Sequence, residues 1–237
     1  MAKKGKVSFE NKQSDFSRPV RIKKYQHLFL VVCEDQTTEP AYFKQFKPQI
    51  PDNTLYLREV GTGLSPLGVV MRAIEERDKL ASEGGKSVDT IWAVFDKDDS
   101  DQNETTKNNF REAFSLAALE GIKIALSNEV FELWFLLHFR DVNPAISIPR
   151  QEIYDMLQQE IRNANADPAY VYNHYHKAAT VVPLVIEYGD VNAAILRAQN
   201  LKEHFKEADP LDANPSTDVF LLVGELFQLI EFYSYSL

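Results

Sequence analysis

Thr90-Ile91-Trp92-Ala93-Val94-Phe95-Asp96-Lys97-Asp98-Asp99 is the stretch on which the fold turns. Apolar and β-branched residues follow one another without alternation, then stop at acids. An unbroken run of this kind marks a strand covered on both faces, as in a parallel sheet. Such a strand would deliver Asp96 and Asp98 to the carboxyl edge of the sheet, where open α/β sheets bind their ligands. Residues at i and i+2 of extended chain share a face, so the two carboxylates are expected to point the same way.

A second run of the same character lies upstream. His27-Leu28-Phe29-Leu30-Val31-Val32-Cys33 ends at Glu34-Asp35. Thr38, followed by Glu39 and Pro40, reads as the cap of a helix whose apolar side is Tyr42, Phe43 and Phe46. The pattern predicts strands over 27–33, 54–60, 89–95 and 122–126. Helices are expected at 66–81 and 110–119, with a polar loop over 99–109. Gly61-Thr62-Gly63 reads as a tight turn at the same sheet edge. Asn128 then caps a buried, aromatic-rich helix through Phe139.

From Arg150 onward the pattern is helical only, over about 150–164, 174–188, 190–207 and 216–235. Alternation of strand and helix followed by helices gives an α/β fold. The expected architecture is a parallel sheet of about four strands flanked by helices, with a C-terminal helical region. The division expected is a basic arm over 1–24, an α/β core over 25–145, and a helical region over 146–237 packed on that core.

Composition narrows the function. The chain has 237 residues, 44% of them hydrophobic, which is enough for a full core. Its net charge is −9, but residues 1–24 hold eight Lys or Arg against Glu10 and Asp15. That arm therefore carries +6 and the remaining chain −15. The basic arm, with Arg21, Lys23 and Lys24 at its end, suits phosphate contact or an acidic partner surface. Cys33 is the single cysteine and lies in an apolar run, so no disulfide forms within the chain. With no apolar run long enough for a bilayer and no signal-peptide pattern, a cytoplasmic protein is expected. No Cys/His spacing points to zinc.

Acids at strand ends are common as caps and turn residues, and one Asp-x-Asp says little alone. The conjunction says more: apolar strand then Glu34, apolar strand then Asp96-x-Asp98. Hard oxygen donors brought together suit Mg²⁺ or Mn²⁺. Glu39 and Glu132 are further candidates, each equally readable as an acid in the first turn of a helix. Lys97 should face away from the two Asp residues, into a salt bridge. His138 reads as a core histidine, and His174 and His176 as an exposed helix start.

The conjunction resembles the Toprim domain of topoisomerases, primases and overcoming-lysogenisation nucleases. The resemblance narrows to the RloB family, related to the second component of the AbiL abortive-infection system. It rests on Val31-Val32-Cys33-Glu34 with Thr38-Glu39-Pro40 and Tyr42-Phe43, on Gly61-Thr62-Gly63, and on Val94-Phe95-Asp96-Lys97-Asp98. Ser127-Asn128 with Phe131-Glu132-Leu133-Trp134 is its most specific block, and Tyr175, Lys177 and Asn214-Pro215-Ser216-Thr217 continue it.

The resemblance implies a metal-dependent nuclease of RNA or DNA, tRNA among the candidates, acting in phage defence beside an ABC-type ATPase. Asp96 and Asp98 would hold Mg²⁺. Glu34 would be a further ligand or the general acid/base, with Lys177 an additional site residue. One position departs from the pattern. Toprim proteins usually carry Gly after the metal-site Glu, and here that position is Asp35. The departure keeps open an alternative, a non-catalytic interaction subunit that uses the Toprim shell as a scaffold. Association with further copies of the chain is compatible with either reading.

Overall fold

The computed structural model describes residues 22–173 and 177–235. Most of the basic arm, Arg21 included, and His174, Tyr175 and His176 lie outside the described residues.

Strand β1 (His27–Cys33), strand β2 (Leu55–Gly61), strand β3 (Thr90–Asp96) and strand β4 (Lys123–Asn128) form a parallel sheet in the order β2-β1-β3-β4. A short strand β5 (Ser216–Thr217) joins the β4 edge antiparallel. The fold is α/β, as the apolar runs require. Chain alternation splits β1 between two cores. Phe29, Val31 and Cys33 face one side; Leu28, Leu30 and Val32 face the other. Each fully buried side chain of this size contributes about 1.5–3 kcal/mol of transfer free energy.

Helices cover both faces. Helix α2 (Pro66–Gly84) and helix α3 (Glu104–Leu119) pack on the Leu28/Leu30/Val32 side through Val69, Val70, Ala73, Phe110 and Ala113. Helix α1 (Thr38–Lys44) and helix α4 (Glu132–Leu137) lie on the opposite side, with Tyr42, Phe43 and Trp134 buried. Helix α5 (Arg150–Ala164), the short α6 (Lys177–Thr180), helix α7 (Val182–Tyr188), helix α8 (Val191–His204) and helix α9 (Val219–Tyr235) follow. Buried residues of α5, α7, α8 and α9 join the core on the α1 and α4 side. Among the described residues, no helix is long and apolar enough to cross a membrane.

Several expectations about the elements need correction. Asn128 ends β4 and caps no helix, because its side chain is taken by the Pro210 and Leu211 carbonyls, and α4 starts only at Glu132. The region after Arg150 contains a strand, because Ser216 and Thr217 pair with Asn128 and Ser127. The expected helix over 174–188 is interrupted at Val181, with Pro183 in the first turn of α7. Helix α3 begins at Glu104, inside the expected loop, because Asn103 and Thr106 form a capping box.

His138 is a core histidine. Its Nδ1–H donates to the Trp134 carbonyl at 2.8 Å, so Nε2 accepts from the Tyr42 hydroxyl at 3.1 Å. Burial lowers its pKa to about 4; the Trp134 carbonyl and Asp190 oppose that shift, and Arg197 reinforces it. An unfolded chain takes up this proton near pH 6.5, and the native state only near pH 4. Stability is therefore full above about pH 6.5 and falls between pH 6.5 and pH 4, by up to about 3 kcal/mol. Urea midpoints of wild type and His138→Gln compared at pH 7.5 and 5 isolate this loss, which the variant should lack, from the opposite pH dependence of Glu34 and Asp96, whose carboxyls burial raises.

Candidate metal centre and its surroundings

The site follows from the winding of the sheet. Chain leaving β1 enters α1 on one face, and chain leaving β3 enters α3 on the other. Adjacent parallel strands whose connections part in this way open a crevice at their carboxyl ends. Glu34 follows β1 directly and Asp96 ends β3, one on each lip. A cavity of about 250 Å³ occupies the crevice, lined by acids Glu34, Asp35, Glu39, Asp96 and Asp98 together with Arg150 and Tyr154.

Glu34 and Asp96 are joined directly. The Asp96 backbone N–H donates to Glu34 Oε2 at 2.9 Å, and the Glu34 N–H donates to the Val94 carbonyl at 2.9 Å. Burial, aided by Asp98 and Asp35 and opposed by the Asp96 N–H, raises the Glu34 carboxyl to about 7. Asp96 is held well above the usual carboxylate range, by burial first and then by Glu39, Glu34, Asp98 and Glu132. Its Oδ1 is buried and makes no hydrogen bond among the described residues. A carboxylate oxygen left in this state is costly unless something positive meets it.

Asp98 reaches the cavity by a different route from the one expected. It does not continue the strand, which ends at Asp96; its φ of 41° lies in the left-handed region. Hydrogen bonds from Lys97 N–H to the Ser127 carbonyl (2.8 Å) and from Asp98 N–H to the Glu129 carbonyl (3.1 Å) fix that turn. The extended-chain geometry is therefore wrong for this pair, although both carboxylates line one cavity. Lys97 is buried and ion-paired to Asp101 at 2.8 Å and Glu129 at 3.4 Å, as a salt bridge would have it.

Asp35 has a structural task. Its Oδ1 accepts from the backbone N–H of Thr37 (2.6 Å) and Thr38 (3.0 Å). The cap of α1 is thus Asp35, where Thr38 was expected, and the Thr37 and Thr38 side chains make no cap bond. Its φ is not in the left-handed region, so glycine is not required there. The Gly61-Thr62-Gly63 turn is structural too. Thr62 N–H donates to the Cys33 carbonyl at 3.0 Å and Gly63 N–H to the Glu34 carbonyl at 2.6 Å, so neither is directed at a phosphate.

The remaining candidates separate. Glu39 is buried in the first turn of α1 and accepts from the Asp35 N–H at 3.3 Å. Glu132 is buried behind the cavity, accepts from the Tyr172 hydroxyl at 2.7 Å, and adds to the negative field on Asp96. Lys23 and Lys24 are exposed and precede β1 at the amino edge of the sheet, opposite the cavity; the Lys23 stem lies beside Gly85 at the end of α2. Lys177 opens α6, and its side chain lies outside the described residues.

Arg150 and Tyr154 carry no sequence signature, yet both line the cavity. They lie one turn apart on α5 and so share a face. Tyr154 stacks on Tyr172 with ring centroids 4.8 Å apart and planes 17° from parallel. The most specific sequence block, Ser127-Asn128, works away from the chemistry. Ser127 Oγ and Thr217 Oγ1 stand 3.0 Å apart, and Asn128 Nδ2 donates to the carbonyls of Pro210 (3.0 Å) and Leu211 (3.1 Å). These bonds fasten the C-terminal part of the chain to β4.

Among the described residues no three His, Cys, Asp or Glu stand gathered as a ready metal site. The donor chemistry nevertheless fits a hard divalent cation: oxygen only, acidic, partly wet, with one buried carboxylate oxygen in want of a partner. No curated protein and no solved structure gives a match to this chain. One family does, described as RloB-like protein, over residues 29–226. That span runs from β1 into α9 and takes in every residue lining the cavity. The chain belongs to the RloB-like protein family.

Proposed function

We propose that this chain is a divalent-cation-dependent nuclease of Toprim type. The observation that carries the reading is Asp96 Oδ1, buried and without a hydrogen bond among the described residues, in a cavity lined by acids at the sheet's switch point. Asp96 and Asp98, with Glu34 beside them, would hold Mg²⁺ or Mn²⁺, which would neutralise phosphate charge and orient the attacking or leaving oxygen. Glu34 is the further ligand or the group that exchanges a proton with that oxygen. Glu39 and Glu132 deepen the negative field that draws the cation in. Asp35 serves as the α1 cap, so the departure from Gly no longer favours a non-catalytic scaffold.

Tyr154 and Arg150 support a nucleic-acid substrate. An aromatic face can stack a base and a guanidinium can fork onto a phosphate. The wider role we infer is that of a toxic effector in phage defence, working with an ABC-type ATPase. This part rests on the relation of the RloB family to the AbiL system.

The test is cleavage of end-labelled RNA, tRNA and DNA by purified full-length chain. Cleavage should require Mg²⁺ or Mn²⁺ and stop with EDTA. Activity that persists in EDTA would remove the metal from the reaction, and absence of cleavage with and without the co-expressed ATPase would sink the nuclease reading.

A further inference from the structure

Arg150 sits where α5 gains nothing from it. It is the first residue of the helix, after Pro149, and a cation at a helix N-terminus opposes the helix dipole. The chain nevertheless fixes it there. Asn214 grips Ile148, accepting from its N–H at 2.8 Å and donating to its carbonyl at 3.2 Å. The guanidinium then reaches Asp98 at 3.2 Å, Asp99 at 2.8 Å and Glu129 at 3.8 Å. Among the described residues, Arg150 is the one basic residue lining the cavity. Lys97, close by, is already committed to Asp101 and Glu129.

We propose that Arg150 is the resident counter-ion of the carboxylate cluster, which a divalent cation displaces from Asp98 and which is thereby freed to take a substrate phosphate. The proposal rests on the metal reading above. The physical case is competition for one oxygen. Arg150 occupies Asp98 Oδ1, one of the two oxygens this carboxylate would offer the cation. Both side chains are partly exposed, at 35% for Arg150 and 45% for Asp98, so water screens their pair and it yields readily to a double charge. Displacement does not cast Arg150 adrift. Asp99 and Glu129 pair with the other terminal nitrogen and still hold it at the rim, leaving the nitrogen released by Asp98 for a phosphate oxygen. The exchange also orders events: the phosphate site forms only once the cation is in place.

The experiment is a Mn²⁺ titration of the full-length chain, read by electron paramagnetic resonance of free Mn²⁺, at low salt. Arg150→Gln should tighten Mn²⁺ about fivefold relative to wild type, and Arg150→Lys should stay near wild type. Arg150→Met keeps the stem and loses the charge, so it should match Arg150→Gln. At saturating Mn²⁺, fluorescence anisotropy should show about tenfold weaker binding of a single-stranded RNA or DNA 10-mer to Arg150→Gln. Equal or weaker Mn²⁺ binding by both neutral variants overturns the counter-ion role and leaves the metal site standing. Binding by the neutral variants alone supports both. No Mn²⁺ binding by any variant overturns the metal reading and this proposal together. Unchanged oligonucleotide affinity, or none in wild type, overturns the transfer to phosphate.

Discussion

Asp96→Asn should abolish divalent-dependent cleavage and make the protein more stable. On the proposed metal reading, the first effect follows from the charge Asp96 would bring to the cation. Removing a metal-binding carboxylate costs several kcal/mol of transition-state stabilisation, so the rate should fall at least about 10³-fold. The second follows from what surrounds Asp96. Glu34, Glu39, Asp98 and Glu132 all act against its charge, and its Oδ1 is buried without a hydrogen bond among the described residues. An amide has the same shape, no charge, and two N–H donors to offer those acids. The metal-free melting temperature should rise by about 3 °C, corresponding to about 1 kcal/mol. The sign should reverse on adding Mg²⁺. Wild type would gain stability by binding the cation, about 2.7 kcal/mol at a hundredfold excess over Kd, and the variant would not. Differential scanning fluorimetry with and without Mg²⁺ reads all of this beside the cleavage assay. A variant that melts below wild type without metal would show that Asp96 serves the fold and not a cation.

The centre of the sheet was legible because β1 and β3 are unbroken apolar runs. Nothing but a two-sided core accounts for His27 to Cys33 or Thr90 to Phe95, and order along the chain then fixes which edge receives the acids. β5 was illegible for the converse reason. Ser216 and Thr217 are two polar residues, and only their place beside Ser127 and Asn128 makes them a strand. The start of α3 is readable in principle: Asn103 with Thr106 is a capping pair inside a stretch whose polarity alone suggests a loop. Asp98 shows the limit of periodicity. The i and i+2 rule holds only while the chain stays extended, and here it ends one residue after Asp96.

The acids of the cavity announced themselves by following strands; its cation did not. Arg150 stands 52 positions after Asp98, at the head of a helix whose pattern reports only an apolar face. Its approach to Asp98 depends on Asn214, 64 positions further on. Contacts assembled from three distant segments have no period and no spacing to read. The same holds for Tyr154 and Tyr172, whose stacking is set by the path of the loop after α5. Asp35 shows that a motif mismatch is interpretable only with geometry. As a residue type it looked like damage to a turn; as an acceptor for two backbone N–H groups it closes the end of α1.

Gly61→Ala should cost far more than its one methyl suggests. Gly61 ends β2 opposite Cys33, and the loop from Glu34 to Gln36 runs directly over it. A Cβ there would come within 2.6 Å of both Cα and the carbonyl carbon of Gln36. These are backbone atoms, so no rotamer change relieves the clash; the loop itself must move. That loop begins with Glu34 and is tied at its start by the Thr62 and Gly63 N–H bonds to Cys33 and Glu34. Stability should fall by about 2–4 kcal/mol, or roughly 5–10 °C in melting temperature. Mn²⁺ affinity should fall with it, because Glu34 is carried off its place beside Asp96. Gly224→Ala is the matched control. Gly224 lies within α9, and an added Cβ meets nothing within 4 Å. There the same substitution removes a helix-weakening glycine and should stabilise by about 0.5–1 kcal/mol. Opposite signs from one chemical change isolate the cause as the approach of Gln36. Equal shifts in the two variants would refute it, and an intact Mn²⁺ site in Gly61→Ala would separate Glu34 from the loop that carries it.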